Sequence, residues 1–117
     1  MSYMLLIVEP AGQRQTRTES EGRAVYDSMV RFSESLKSRG LLTMSQSLKT
    51  DHLGARVQVR DGATKVVDGP FAEAREIIGG IFLLTCKTRE QAIAIAGECP
   101  VATSATIEVR ELGPCFE

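Results

Sequence analysis

The sequence predicts one α+β domain of ferredoxin-like topology, with two helices on one sheet face and an extra β-hairpin, that works as a homodimer. Three observations carry this. Short β-prone runs and two stretches of helical periodicity follow one another as strand, helix, two strands with a hairpin arm, strand, helix, strand. Two strand-helix-strand crossovers of the usual right-handed sense then set both helices on the same side of a single sheet. The strands are also apolar on both sides, so one sheet face is left wanting cover.

In chain order, Tyr3 to Val8 is a short apolar run followed by Pro10 and Gly12, which reads as a strand entering a loop. Gln13 to Ser20 is polar. From Glu19 to Arg39, Val25, Met29, Phe32 and Leu36 recur at spacings of four, three and four, one face of a helix that Gly40 stops. Leu41 to Leu48 is the second strand and Ala55 to Arg60 the third, with Val57 and Val59 opposite in sense to Gln58 and Arg60. Asp61-Gly62 and the β-prone Thr64 to Val67 make this third strand a hairpin. Asp68-Gly69-Pro70-Phe71 is a stop signal, and Ala72 to Glu76 reads as a helical turn. Ile77 to Cys86 is nearly all apolar, as in a strand buried on both faces, and Gly79-Gly80 marks a bulge or a close backbone approach. Thr88-Arg89-Glu90-Gln91 is a capping box opening a second helix, whose Ala92, Ile95, Ala96 and Cys99 share a face until Pro100. Thr106 to Leu112 closes the order as an alternating strand.

The 117 residues form one domain, with 43% hydrophobic and 25% charged residues as in ordinary globular chains. The 14 Lys and Arg are scattered and the net charge is −1, which gives no footprint for direct nucleic-acid binding. The first apolar run is too short for a secretory leader or a membrane span, so a cytoplasmic location is expected. Cys86, Cys99 and Cys115 have neither disulfide-framework nor metal-knuckle spacing. The first two read as core residues and the third as a tail residue. No cofactor motif is present, since Gly79-Gly80 precedes a strand and lacks a following Lys and Ser or Thr, and no set of residues has the spacing of a structural metal site.

An apolar sheet face left uncovered is best hidden by a second copy packed sheet on sheet, which makes a dimeric α+β barrel. Chemistry concentrates after the hairpin. Asp68 is a carboxylate held at a Gly-Pro turn and is the candidate catalytic group, a general base if burial raises its pKa. Gly69, Phe71, Arg75 and Glu76 are its candidate ligand-binding neighbours. The same residues also suit a purely structural turn with Phe71 as its anchor. His52, between Asp51 and Leu53, reads as an exposed loop histidine with a possible acid-base role. Glu108 and Arg110 share a strand face and mark either a cross-strand pair or a charged pocket inside the barrel.

The Asp68-Gly69-Pro70-Phe71 motif, with Glu73, Arg75, Glu76 and Gly79-Gly80 beyond it, resembles the DGPF branch of the YCII-related proteins. The first strand, the Arg60-Asp61-Gly62 turn, Cys99-Pro100 and Ile107-Glu108-Val109-Arg110 extend the resemblance over nearly the whole chain. It implies the dimeric α+β barrel. Two functional readings stand beside it: from the residues, a small-molecule domain, cofactor-free enzyme or binder, using a cleft lined by Asp68, Phe71 and Glu76; and, from relatives fused to or encoded with sigma factors, an interaction module working beside a sigma factor in transcription. Of the histidine and aspartate shared in the wider group, the histidine is not matched at the start of the first helix, because the only histidine, His52, stands in the loop before the third strand.

Overall fold

The computed structural model describes residues 2–116. Strand β1 (Tyr3–Pro10) leads through a single 3-10 turn to helix α1 (Glu19–Ser38) and strand β2 (Leu42–Ser47). A second such turn, Asp51–Leu53, precedes the hairpin strands β3 (Ala55–Arg60) and β4 (Ala63–Asp68). Strand β5 (Glu76–Leu84), helix α2 (Arg89–Gly97) and strand β6 (Thr106–Glu111) complete the chain. The main sheet has the order β2-β5-β1-β6 with every neighbour antiparallel, which is the ferredoxin-like arrangement. Among the described residues, strands β3 and β4 pair only with each other.

Alternation along β1 decides the layers. Tyr3, Leu5 and Ile7 are buried under the helices with Phe32 and Leu36 of α1, Phe82 and Leu84 of β5, and Ala92, Ile95 and Ala96 of α2. The Phe32 and Phe82 rings meet edge to face at 5.3 Å. Cys86 and Cys99 belong to this core, as expected, while Cys115 is exposed. Met4, Leu6 and Val8 face the opposite side and are only half-buried, as are Ile81 and Leu83 beside them. Half of the two-sided burial expected of β5 is therefore missing within one chain.

Helix α1 starts where Thr18 and Glu21 exchange hydrogen bonds in a capping box, and it ends before Gly40, whose φ of +71° suits glycine. At α2 the box is only half closed. Thr88 accepts from the Gln91 N–H, but the Gln91 side chain accepts from Lys87 instead of Thr88. The hairpin turn places Asp61 at φ 52° and Gly62 at φ 77°, the left-handed pair an Asp-Gly turn supplies.

Two expectations are corrected. Ala72 to Glu76 is not helical. The Ala74 N–H donates to the Phe71 carbonyl at 2.9 Å in one tight turn, and Glu76 is already paired with Pro10 in β5. Strand β5 also stops at Leu84, before the expected Cys86. Among the described residues no helix is long and apolar enough to cross a membrane.

Candidate functional site

The buried row of β1 ends on a charge. Glu9 follows Tyr3, Leu5 and Ile7 on the helix side of the sheet and is 6% exposed. After Pro10 the chain turns back, and the Arg14 guanidinium reaches Glu9 with Nε 2.7 Å from Oε1. Arg14 also donates to the Leu48 carbonyl at 2.7 Å and the Gly79 carbonyl at 3.2 Å, so three strands are tied together through one side chain. Oε1 is charge-compensated by Arg14 yet, among the described residues, has no hydrogen-bond donor, although it is fully shielded by protein.

Glycine makes this arrangement possible. A Cβ at position 79 would lie 2.7 Å from Glu9 Oε1 and 2.9 Å from Arg14 Nη2, and one at position 80 would lie 3.1 Å from the Gln46 carbonyl. Gly79 is also the extra residue of a bulge, since Ile7 pairs with Gly80 and Val8 with Ile78. The sequence offered a bulge or a close approach; the glycine pair provides both.

Above Glu9 lies a cleft of about 560 Å³ between α1 and the sheet. Its walls are Ile7 and Phe82 below and Val25, Met29 and Val30 of α1 above, with Glu9, Arg14, Gln13 and Arg17 as polar groups at one end. This size and this mixture, apolar walls with a few convergent polar groups, suit a small organic ligand. Arg14 commits donors to two backbone carbonyls, which holds its guanidinium in the ion pair that positions Glu9. Arg17 donates to Gln13 Oε1 at 3.2 Å and lines the cleft beside it.

The residues singled out from the sequence are gathered only in part. Asp68 is exposed at the end of β4, opposite Ala55. Gly69 backs onto the Asp51 turn, where a Cβ would overlap the Asp51 carbonyl, and its N–H donates to the Gly54 carbonyl at 2.8 Å. The Gly69–Pro70 peptide is cis. Phe71 is half-buried, and the Arg56 guanidinium stacks over its ring at 4.1 Å. Phe71 and Glu76 line a second groove, of about 480 Å³, with Val8, Ile78, Asp51 and Arg56. Asp68, Gly69 and Arg75 are not in that lining, and Arg75 contributes a backbone carbonyl to Ala11.

His52 Nδ1 lies 3.0 Å from Thr50 Oγ1 and 3.4 Å from Asp51 Oδ1, within a single turn of chain. Glu108 and Arg110 pair with each other along β6, at 3.1 Å, and not across strands as expected. Glu9, Arg14 and Arg17 were missed in the sequence reading. The available signal was a carboxylate in phase with the buried row Tyr3, Leu5, Ile7.

A ferredoxin-like α+β domain with a polar-ended apolar cleft under its first helix is the class of protein this geometry defines. The chain matches the YCII-related domain over residues 1–115 and belongs to that family. No individual curated protein matches it.

Proposed function

We propose that the chain is a small-molecule domain of the DGPF branch, binding or converting its ligand in the cleft between α1 and the sheet, and that it works as a homodimer closed on its half-buried sheet face. The observation behind the first part is Glu9. Burying a carboxylate without hydrogen-bond donors is costly, and one ion pair offsets only part of that cost. A ligand N–H or O–H at the polar end of the cleft reaches the carboxylate through Oε2, the oxygen that is not fully shielded, and supplies a donor there, while the apolar body lies along Met29 and Phe82. Glu9 is then the acceptor or general base, and Arg14 is the positioning residue. The Asp68 motif serves this reading as the clamp at the hairpin base. The second part rests on Met4, Leu6, Val8, Ile81 and Leu83, an apolar sheet centre with no layer over it.

The test is a thermal-shift screen of wild type, Glu9→Gln and Asp68→Ala against a panel of small hydroxylated, amino and carboxylic compounds. A ligand at a hundredfold excess over its Kd adds about 2.7 kcal/mol to native stability. The expected result is a shift in wild type and Asp68→Ala that is lost in Glu9→Gln. A shift lost in Asp68→Ala but kept in Glu9→Gln moves the ligand to the Phe71 groove, and no shift in any protein rejects the reading.

A further inference from the structure

The hairpin of β3 and β4 stands away from the body of the fold, and its two faces differ. The register sets Val57 opposite Val66 and Val59 opposite Thr64 on one face. Gln58 lies opposite Lys65, and Arg60 opposite Ala63, on the other. Every residue of both strands is exposed, with Val57, Val59 and Val66 at 61%, 59% and 58%. A two-stranded hairpin with an uncovered valine face is marginal in water.

The whole chain carries the same surplus. Its accessible surface is 8056 Å², about 1,800 Å² above the roughly 6,300 Å² expected of a compact monomer of its mass. Its radius of gyration is 15.9 Å, against about 13 Å for a compact chain of this length. Obligate dimers bury on the order of 1,000–2,500 Å² per copy, which is the size of that surplus.

Two apolar surfaces of one chain, the valine face and the bare sheet face, lack cover. A two-fold axis lets each copy offer one surface to the other reciprocally. We infer that the arm is a dimer element: the Val57, Val59 and Val66 face of each copy seats on the Val8 and Ile78 margin of the second copy's bare sheet face, beside the sheet-on-sheet contact. This rests on the homodimer reading above and extends it from the sheet to the arm. The groove beside Phe71 opens on that same face through Val8 and Ile78, so the seated copy forms its missing wall.

The experiment combines sedimentation equilibrium with hydrogen exchange on the full chain, comparing wild type, V57T/V66T on the valine face and Q58T/K65T on the opposite face. The expected result is a wild-type dimer whose arm amides are protected. V57T/V66T weakens the dimer by about a hundredfold, and Q58T/K65T leaves it within about threefold. A wild-type dimer with freely exchanging arm amides, or one that V57T/V66T leaves equally tight, overturns the arm's role while sparing the dimer. A wild type that stays monomeric at about 100 μM overturns both. If V57T/V66T loses its far-UV signal, the exchange pattern of the wild type alone decides.

Discussion

Gly69→Ala separates the two roles the Asp68-Gly69-Pro70-Phe71 motif can have. Gly69 has no positive φ, so its need for glycine is purely steric. An added Cβ would overlap the Asp51 carbonyl oxygen and lie 2.8 Å from its carbon, and both are backbone atoms that no rotamer change can move aside. Making room displaces the Asp51 turn from the hairpin base. That breaks the Gly69-to-Gly54 hydrogen bond of 2.8 Å and strains the Gly54-to-Asp51 bond of 2.9 Å, each worth about 0.5–1.5 kcal/mol net. Phe71 also loses its packing against Gly54. The sum is about 2–4 kcal/mol. A chain of 117 residues has an unfolding entropy of about 0.25 kcal/mol per kelvin, so Tm falls by about 8–16 °C. Asp68→Ala, at an exposed position, changes stability by less than about 0.5 kcal/mol and Tm by about 2 °C at most. Thermal melts followed by circular dichroism read both. A Gly69→Ala melt within about 2 °C of wild type would refute the clamp, and a large loss in Asp68→Ala would show that the carboxylate is structural too.

Gly79→Ala forces Glu9 and Arg14 apart, but both are side-chain ends that can swing into the cleft. The expected cost is about 1–2 kcal/mol, a Tm drop of about 4–8 °C. Gly22→Ala, with nothing within 4 Å of the new Cβ in α1, stabilises by about 0.5–1 kcal/mol in the same assay. Burial pushes the Cys86 and Cys99 thiols up from 9.0, whereas Cys115 is exposed. A thiol reagent at mild alkaline pH should therefore label Cys115 in the native protein and the other two only after unfolding. The hydrogen bonds from Arg39 hold the Glu98 carboxyl below its ordinary 4.5, so this bridge stabilises the fold above that pH and is lost as pH falls through the lower native value. Both partners are over one third exposed, so Glu98→Gln costs under about 1 kcal/mol at neutral pH. The difference in melting between Glu98→Gln and wild type should vanish in acid.

Periodicity made the layers legible. Val25, Met29, Phe32 and Leu36 form the inward stripe of α1, Ala92, Ile95, Ala96 and Cys99 that of the α2 region, and Asp61-Gly62 the hairpin turn. Each of these is a local pattern with one dominant physical cause. Glu9 was not legible because its role needs three segments distant in sequence: the end of β1, the Arg14 turn and the Gly79 backbone. The short run after Phe71 was misread as helical because charged residues fit a helix as well as a turn. There the pairing of Glu76 with Pro10, a non-local contact, decides.

The bulge at Gly79 joins the two sides of the sheet. Strict alternation back from Leu84 and Phe82 would put Ile78 and Glu76 under the helices, where a second carboxylate would face Glu9 across the polar end of the cleft. Gly79 is passed over in the pairing, so the phase reverses. Ile77 now lies opposite Glu9, while Ile78 joins Val8 on the bare face and Glu76 follows it to the Phe71 groove. The same residue leaves space for Arg14 to reach Glu9. One inserted glycine thus lets Arg14 neutralise the buried charge on one face and delivers an apolar side chain and a carboxylate to the other. The glycine pair therefore sits early in β5, where it lines the cleft itself and sets Ile78 and Glu76, the residues just before it, into the groove.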